Sequence, residues 1–187
     1  MARWEGGAAD RFREAALELY AERGYEQTTV AEIAERAGLT ARTFFRHFTD
    51  KREVLFAGSE TLREGLEAAL REAPADASPM TAIGLALERS AAFLGRDHRH
   101  SRRRQAIISA NPELQERELI KMATLAAALG SGLRDRGVPE PDASLAAQAG
   151  IAVFQVAFGR WVTAETETDL AAEMRFLLDR LPAVASR

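Results

Sequence analysis

The 187-residue chain has no cysteine, which excludes disulfide frameworks, thiolate zinc sites, iron–sulfur clusters and cysteine nucleophiles. Strand-like alternation of Val, Ile, Thr and Tyr is scarce too. The start, Met1-Ala-Arg-Trp-Glu-Gly-Gly-Ala-Ala-Asp10, has no apolar stretch of secretory type, so the expected location is the cytoplasm. The longest charge-free run, residues 143–159, carries Gln148 and Gln155 and falls short of a bilayer's thickness, so no membrane span is expected. The glycine-rich Gly130-Ser-Gly-Leu-Arg-Asp-Arg-Gly137 lacks both P-loop and dinucleotide spacing. With no set of metal ligands in view, we expect no metal, no cofactor and no enzyme. Positive charge is in slight deficit, 25 Lys and Arg against 28 Asp and Glu, for a net −3. That argues mildly against a nucleic-acid partner when the chain is taken whole, but a duplex meets one face and not an average.

Apolar residues recur at three- and four-residue spacing nearly throughout, which predicts an all-α fold of about nine helices. The first is expected over 11–23 after Asp10, with Phe12, Ala16, Leu19 and Tyr20 inward and Gly24 as its stop. Thr29-Val-Ala-Glu32 is a capping-box pattern that starts a second helix over 30–37. Thr40 caps a short third helix over 41–48, and Asp50 a fourth over 51–72. After the linker Ala73–Pro79, Ser78-Pro79 reads as cap and first residue of a helix over 80–94. Further helices are expected over 99–109, 112–136 (capped by Asn111), 142–164 (capped by Asp142) and 170–181.

The informative stretch lies between Thr28 and Lys51. Two short helices meet at Ala37-Gly38-Leu39-Thr40, where Gly38 permits the positive φ of a tight turn and Leu39 enters the shared core. This is helix-turn-helix spacing. Residues 39–52 carry Arg42, Arg46, Lys51 and Arg52 against Asp50 alone, a local +3 inside an acidic chain. Phe44 and Phe48, four apart, should be buried, leaving Phe45 and Arg46 outward with Arg42 one turn earlier. Arginine can take guanine O6 and N7 bidentately or hold phosphates.

The segments Ala16-Leu-Glu-Leu-Tyr-Ala-Glu-Arg-Gly-Tyr25, Thr28-Thr-Val-Ala-Glu-Ile-Ala-Glu-Arg-Ala-Gly-Leu-Thr40, Thr43-Phe-Phe-Arg-His-Phe48 and Asp50-Lys-Arg-Glu-Val-Leu55 resemble the amino-terminal domain of the TetR repressor family. The resemblance implies a helix-turn-helix domain over 1–56 and a helical ligand-binding and dimerisation domain over 57–187. It also implies a homodimeric repressor that leaves a palindromic operator when a small molecule binds. By position it assigns Thr28 and Thr29 to phosphate contact, Thr40, Ala41 and Arg42 to base reading, Phe45, Arg46 and His47 to the backbone-contacting end, and Lys51 to a phosphate. Phe45 stands where many members carry a Tyr whose hydroxyl bonds a phosphate. His47 has two readings, a phosphate contact or a helix-end cap that braces Asp50. Arg3 and Trp4 form either a groove-reaching arm or a tail.

Beyond that domain the resemblance rests on helix count. In the 142–164 helix, Phe154, Phe158 and Trp161 lie on one side, with Ala149, Val153 and Val156 nearly opposite. We expect one face in the subunit and the other against a partner, with Met174, Leu177, Leu178 and Leu181 completing a four-helix dimer interface. The alternative is the central helix of a monomeric bundle. Phe93, Ile107, Ile108, Met122, Phe154, Phe158 and Trp161 could line an apolar effector cavity, or simply form core. The basic run Arg96-Asp-His-Arg-His-Ser-Arg-Arg-Arg104 reads either as a solvated connector or as a site for an anionic effector such as the phosphates of an acyl-coenzyme A, which some relatives in the family sense. His98-x-His100 could share a metal only on extended backbone. A second functional reading is a dimeric helical small-molecule-binding protein whose helix-turn-helix is not used on DNA.

Overall fold

A computed structural model describes residues 7–95, 97–165 and 168–185; the Arg3–Trp4 arm and Arg96 lie outside the described residues. Nine α-helices and one 3-10 turn are found among them: α1 Ala8–Arg23, α2 Val30–Arg36, α3 Ala41–His47, the 3-10 turn Glu53–Phe56, α4 Ser59–Glu72, α5 Pro79–Leu94, α6 His98–Ser109, α7 Pro112–Asp135, α8 Asp142–Thr163 and α9 Leu170–Ala185.

Local chemistry fixes most of the boundaries. Thr29 and Glu32 form the full reciprocal capping box at α2, while Thr40 and Ser78 accept from Thr43 N–H and Thr81 N–H at the starts of α3 and α5. Several expectations need correction. The segment over 51–72 is not one helix: the Asp50 carboxylate accepts from the Arg52 and Glu53 amides where the chain enters the 3-10 turn, whose cap position is Arg52, and Gly58, at φ +88°, breaks the chain before α4. α1 begins at Ala8, capped by Gly7 rather than Asp10. Asp142 is the first residue of α8 and not its cap. Asn111 does stand at the cap position of α7, its carbonyl accepting from Gln115 N–H at 3.1 Å, while its side-chain amide donates back to the Ile107 carbonyl at 2.6 Å. α9 continues through Pro182 to Ala185.

The chain divides into two compact units, Met1–Gly58 with Arg103–Glu116, and Ser59–Arg102 with Arg117–Arg187. The first unit therefore takes in a later piece of chain. Ile107, Ile108 and Leu114 join Phe12, Leu19, Ile33, Phe44 and Leu55 in one apolar core. Phe12 is its hub, packing edge-on against Phe44 at 5.1 Å and Phe48 at 6.3 Å between ring centroids, contacts that hold α3 against α1.

The second unit, the body, is built on Leu66 and Leu70 of α4, Ile83 and Leu87 of α5, Leu125 and Leu129 of α7, Ile151, Phe154 and Trp161 of α8, and Met174 of α9. Small residues allow close approach inside this unit. A Cβ placed on Gly150 would lie 2.5 Å from Ile83 Cγ2, and one on Gly132 would lie 2.7 Å from Leu70 Cδ1. With 22 residues, α8 is long and apolar enough to cross a membrane, yet half of its apolar window is buried within the body.

Candidate nucleic-acid interface

α3 is anchored by its inner face and free on its outer one. Phe44 is fully buried and Phe48 nearly so. Arg42 and Arg46 are exposed and make no hydrogen bond or ion pair among the described residues, and Phe45 is 58% exposed. Ala41 is half-buried, and the Thr40 hydroxyl is shared with Thr43, 2.9 Å away. An exposed cation–aromatic–cation face on a seven-residue helix suits the major groove, where guanidinium groups read guanine edges and apolar groups meet the thymine methyl. The His47 ring lies 6.3 Å from those of Phe12 and Phe48. The brace on Asp50 is Arg52 instead, at 2.7 Å. The Arg52 guanidinium holds the Asp50 carboxyl below the ordinary carboxylate range, against the opposing effect of partial burial.

The local +3 overstates the free charge, because Arg52 is paired and Lys51 is enclosed. Lys51 Nζ donates to the carbonyls of Tyr25, Thr28 and Glu26 at 2.9, 3.0 and 3.1 Å. Thr28 is 1% exposed, and its hydroxyl donates to the Gly24 carbonyl at 2.9 Å. Both side chains were expected on phosphate; both hold the loop that leads into α2. Thr29 remains exposed at the cap. Its amide and hydroxyl donate to Glu32, and with Arg23 alongside they hold that carboxyl below its usual range.

Sequence reasoning missed three supports of this surface. Arg11 Nη2 donates to the carbonyls of Ala37 and Gly38 and so holds the turn from α1. Arg36 bridges Glu18 at 3.0 Å and Glu22 at 2.8 Å, tying α2 to α1. Buried Tyr20 donates its hydroxyl to the Lys51 carbonyl at 2.6 Å; burial foremost, then Asp50, pushes this phenol above the ordinary tyrosine value. The sequence cues were Arg11 and Tyr20 on α1 and Arg36 at the end of α2.

The seven residues expected around an effector cavity are not brought together. Ile107 and Ile108 belong to the core of the first unit. Met122, Phe154 and Trp161 are buried in the body with Phe158 packed against them, and Phe93 is 39% exposed. Phe154 and Phe158 stack at 5.9 Å, and Trp161 is 5.7 Å from Phe158. A cavity of about 310 Å³ opens between the end of α5 and the start of α9, lined by Ala91, Gly95, Thr168, Asp169 and, of the expected set, Trp161 alone. The His98 ring stands edge-on to Trp161 at 4.7 Å, its Nε2 2.9 Å from the Trp161 carbonyl. Both His98 and His100 are helical, so their rings diverge. Arg99 and Arg102 of the same helix are exposed and unpaired among the described residues.

The outward apolar stripe also differs from expectation. Val153 is 5% exposed and Met174 fully buried, both inside the body's own core, while Leu177, Leu178 and Leu181 are half-buried. The exposed stripe of α8 is Leu145, Ala152 and Val156, with Ala149 half-buried between them; α9 exposes Phe176 and Val184. Val153 sits one position past that stripe, far enough round a 3.6-residue turn to point inward.

Residues 12–57 match the family described as bacterial regulatory proteins, tetR family. The HTH-type transcriptional regulator TcmR of Streptomyces glaucescens is 42% identical over 87 residues, 46% of this chain and 37% of that protein's length. The fatty acid metabolism regulator protein of Bacillus subtilis (strain 168) is 26% identical over 175 residues, 90% of each chain. The crystal structure of the regulator FadR from Bacillus subtilis, in complex with stearoyl-CoA, superposes with a TM-score of 0.62 at 26% identity, covering 92% of this chain and 96% of that one. The helix-turn-helix of α2 and α3, the core that seats it and these likenesses agree: residues 12–57 form an amino-terminal domain of the tetR family of bacterial regulatory proteins.

Proposed function

We propose that the protein is a homodimeric transcriptional repressor that binds a palindromic operator through α3 and releases it when an acyl-coenzyme A enters the body. The observation that carries this reading is the exposed face of α3, where Arg42 and Arg46 have no partner among the described residues and Phe45, edge-on to Phe44, stands more than half exposed over the buried anchors Phe44 and Phe48. Two copies are needed to reach half-sites one helical turn, about 34–36 Å, apart. The exposed apolar stripe from Leu145 to Val156, with Phe176, gives α8 and α9 a surface suited to a second copy. The effector class follows from the relative named for fatty acid metabolism and the neighbour solved with stearoyl-CoA. The unpaired Arg99 and Arg102 supply positive charge for nucleotide phosphates.

The effector acts by a difference in affinity between two states, one competent for DNA and one not. The test is to select a duplex from random sequence and titrate the complex with stearoyl-CoA, coenzyme A and free stearate. Release by the thioester alone supports the proposal. No release by any of the three at concentrations that saturate the protein removes this effector class.

A further inference from the structure

Lys51 stands in the loop between α3 and the 3-10 turn, and all its donors are committed. An ammonium carries three N–H bonds, and the carbonyls of Tyr25, Thr28 and Glu26 accept them at 2.9, 3.0 and 3.1 Å. Nζ also lies 4.4 Å from the centroid of the Tyr25 ring, a cation–π contact. The main chain at this residue is pinned as well, because the Lys51 carbonyl accepts the hydroxyl of Tyr20, whose ring packs against Tyr25 at 5.2 Å. The gripped segment, residues 25–28, has no helical ladder of its own to satisfy its carbonyls. It leads directly into Thr29, the exposed cap of α2, and the Tyr25 carbonyl that Lys51 holds also accepts the Thr28 amide at 3.2 Å.

We propose that Lys51 is a positioning residue for the amino end of α2: it fixes residues 25–28, and through them the Thr29 cap, on the DNA-facing surface without itself touching phosphate. Reaching a phosphate would require the ammonium to let go of carbonyls it already satisfies, exchanging one set of charge-assisted hydrogen bonds for another. This inference rests on the DNA-binding reading for its role in affinity, but the clamp itself is a property of the free protein.

The two roles separate in salt dependence, because each phosphate neutralised contributes about 0.9 to the slope of log K against log salt. Full-length Lys51→Met, Lys51→Gln and Arg46→Ala are titrated with the selected duplex across a salt series, well below their unfolding temperatures. Thr28 amide exchange is followed in the DNA-free proteins. Lys51→Met binds about tenfold more weakly or worse, the scale of one charge-assisted hydrogen bond, with an unchanged slope and about tenfold faster Thr28 exchange. Lys51→Gln, which still donates N–H, recovers part of both and keeps the test open if the Met variant fails to fold. Arg46→Ala shows the opposite pattern, a slope lower by about one and unaltered exchange.

A slope lowered by about one in Lys51→Met or Lys51→Gln overturns the proposal, and so does wild-type affinity in Lys51→Met. If the wild-type protein binds no duplex at all, the functional reading fails by itself; unaltered Thr28 exchange in the variants then overturns the clamp separately.

Discussion

Replacing Gly38 by alanine tests how the recognition helix is aimed. Gly38 turns the chain from α2 into α3 at φ +64°, and a Cβ there would lie 2.9 Å from Arg11 Nη2. Two costs follow. An L-residue held in the left-handed region costs about 1–2 kcal/mol. The Arg11 guanidinium is the far end of a flexible side chain and can withdraw, but only by releasing the carbonyls of Ala37 and Gly38. Arg11 is exposed, so that loss counts near the ordinary net value of about 1 kcal/mol. Gly38→Ala should therefore destabilise the protein by about 2–3 kcal/mol. Urea denaturation of the wild type, Gly38→Ala, Arg11→Met and the double variant separates the two parts. In the Arg11→Met background the glycine replacement should cost only the backbone strain, leaving a coupling of about 1 kcal/mol. A Gly38→Ala protein as stable as the wild type would refute the left-handed turn. Strict additivity of the two substitutions would refute the role given to Arg11.

Other expectations are as direct. Arg42→Ala should cost about 1–3 kcal/mol on the selected duplex and relax preference at one base pair, as read by competition with single-position variants of the site. Thr29→Ala removes the capping box and should lower stability by about 1 kcal/mol in denaturant titration. Because the Glu32 carboxyl is held below its ordinary pKa in the folded state, its contribution is complete above the ordinary glutamate range and fades as pH falls through the depressed value. The gap between Thr29→Ala and wild type should therefore narrow in acid. Val156→Arg, on the exposed stripe, should give monomers by sedimentation with little loss of fold, whereas Val153→Ala should lower the unfolding temperature and leave association unchanged.

Much of the amino-terminal architecture is readable because caps and tight turns are local. Thr29 with Glu32, Thr40 with Thr43, and Gly38 each announce their structure within four residues. The roles of Thr28 and Lys51 are not readable in that way. The carbonyls that enclose the lysine lie 23 to 26 residues away in the chain, and no local pattern announces them. The same holds for Ile107 and Ile108. Their apolar character predicts burial but not in which of two units they are buried, and the structure places them with Phe12 and Phe44. On α8, which is apolar nearly all round, periodicity alone separates the inner and outer faces poorly. Val153 and Val156 look alike in sequence and end up buried and exposed. Asp142 has the residue type of a cap but falls one place inside the helix, behind Pro141.

The central claim is that the exposed side of α3, and nothing behind it, enters DNA. The most direct measurement compares wild-type protein with the triple variant Arg42→Ala, Phe45→Ala, Arg46→Ala, recording thermal unfolding and affinity for the selected duplex together. Arg42 and Arg46 do not touch the core, and Phe45, edge-on to Phe44 at 5.6 Å, is more than half exposed, so the unfolding temperature should fall only slightly while sequence-specific binding disappears. Specific binding that survives in a folded triple variant would contradict the claim.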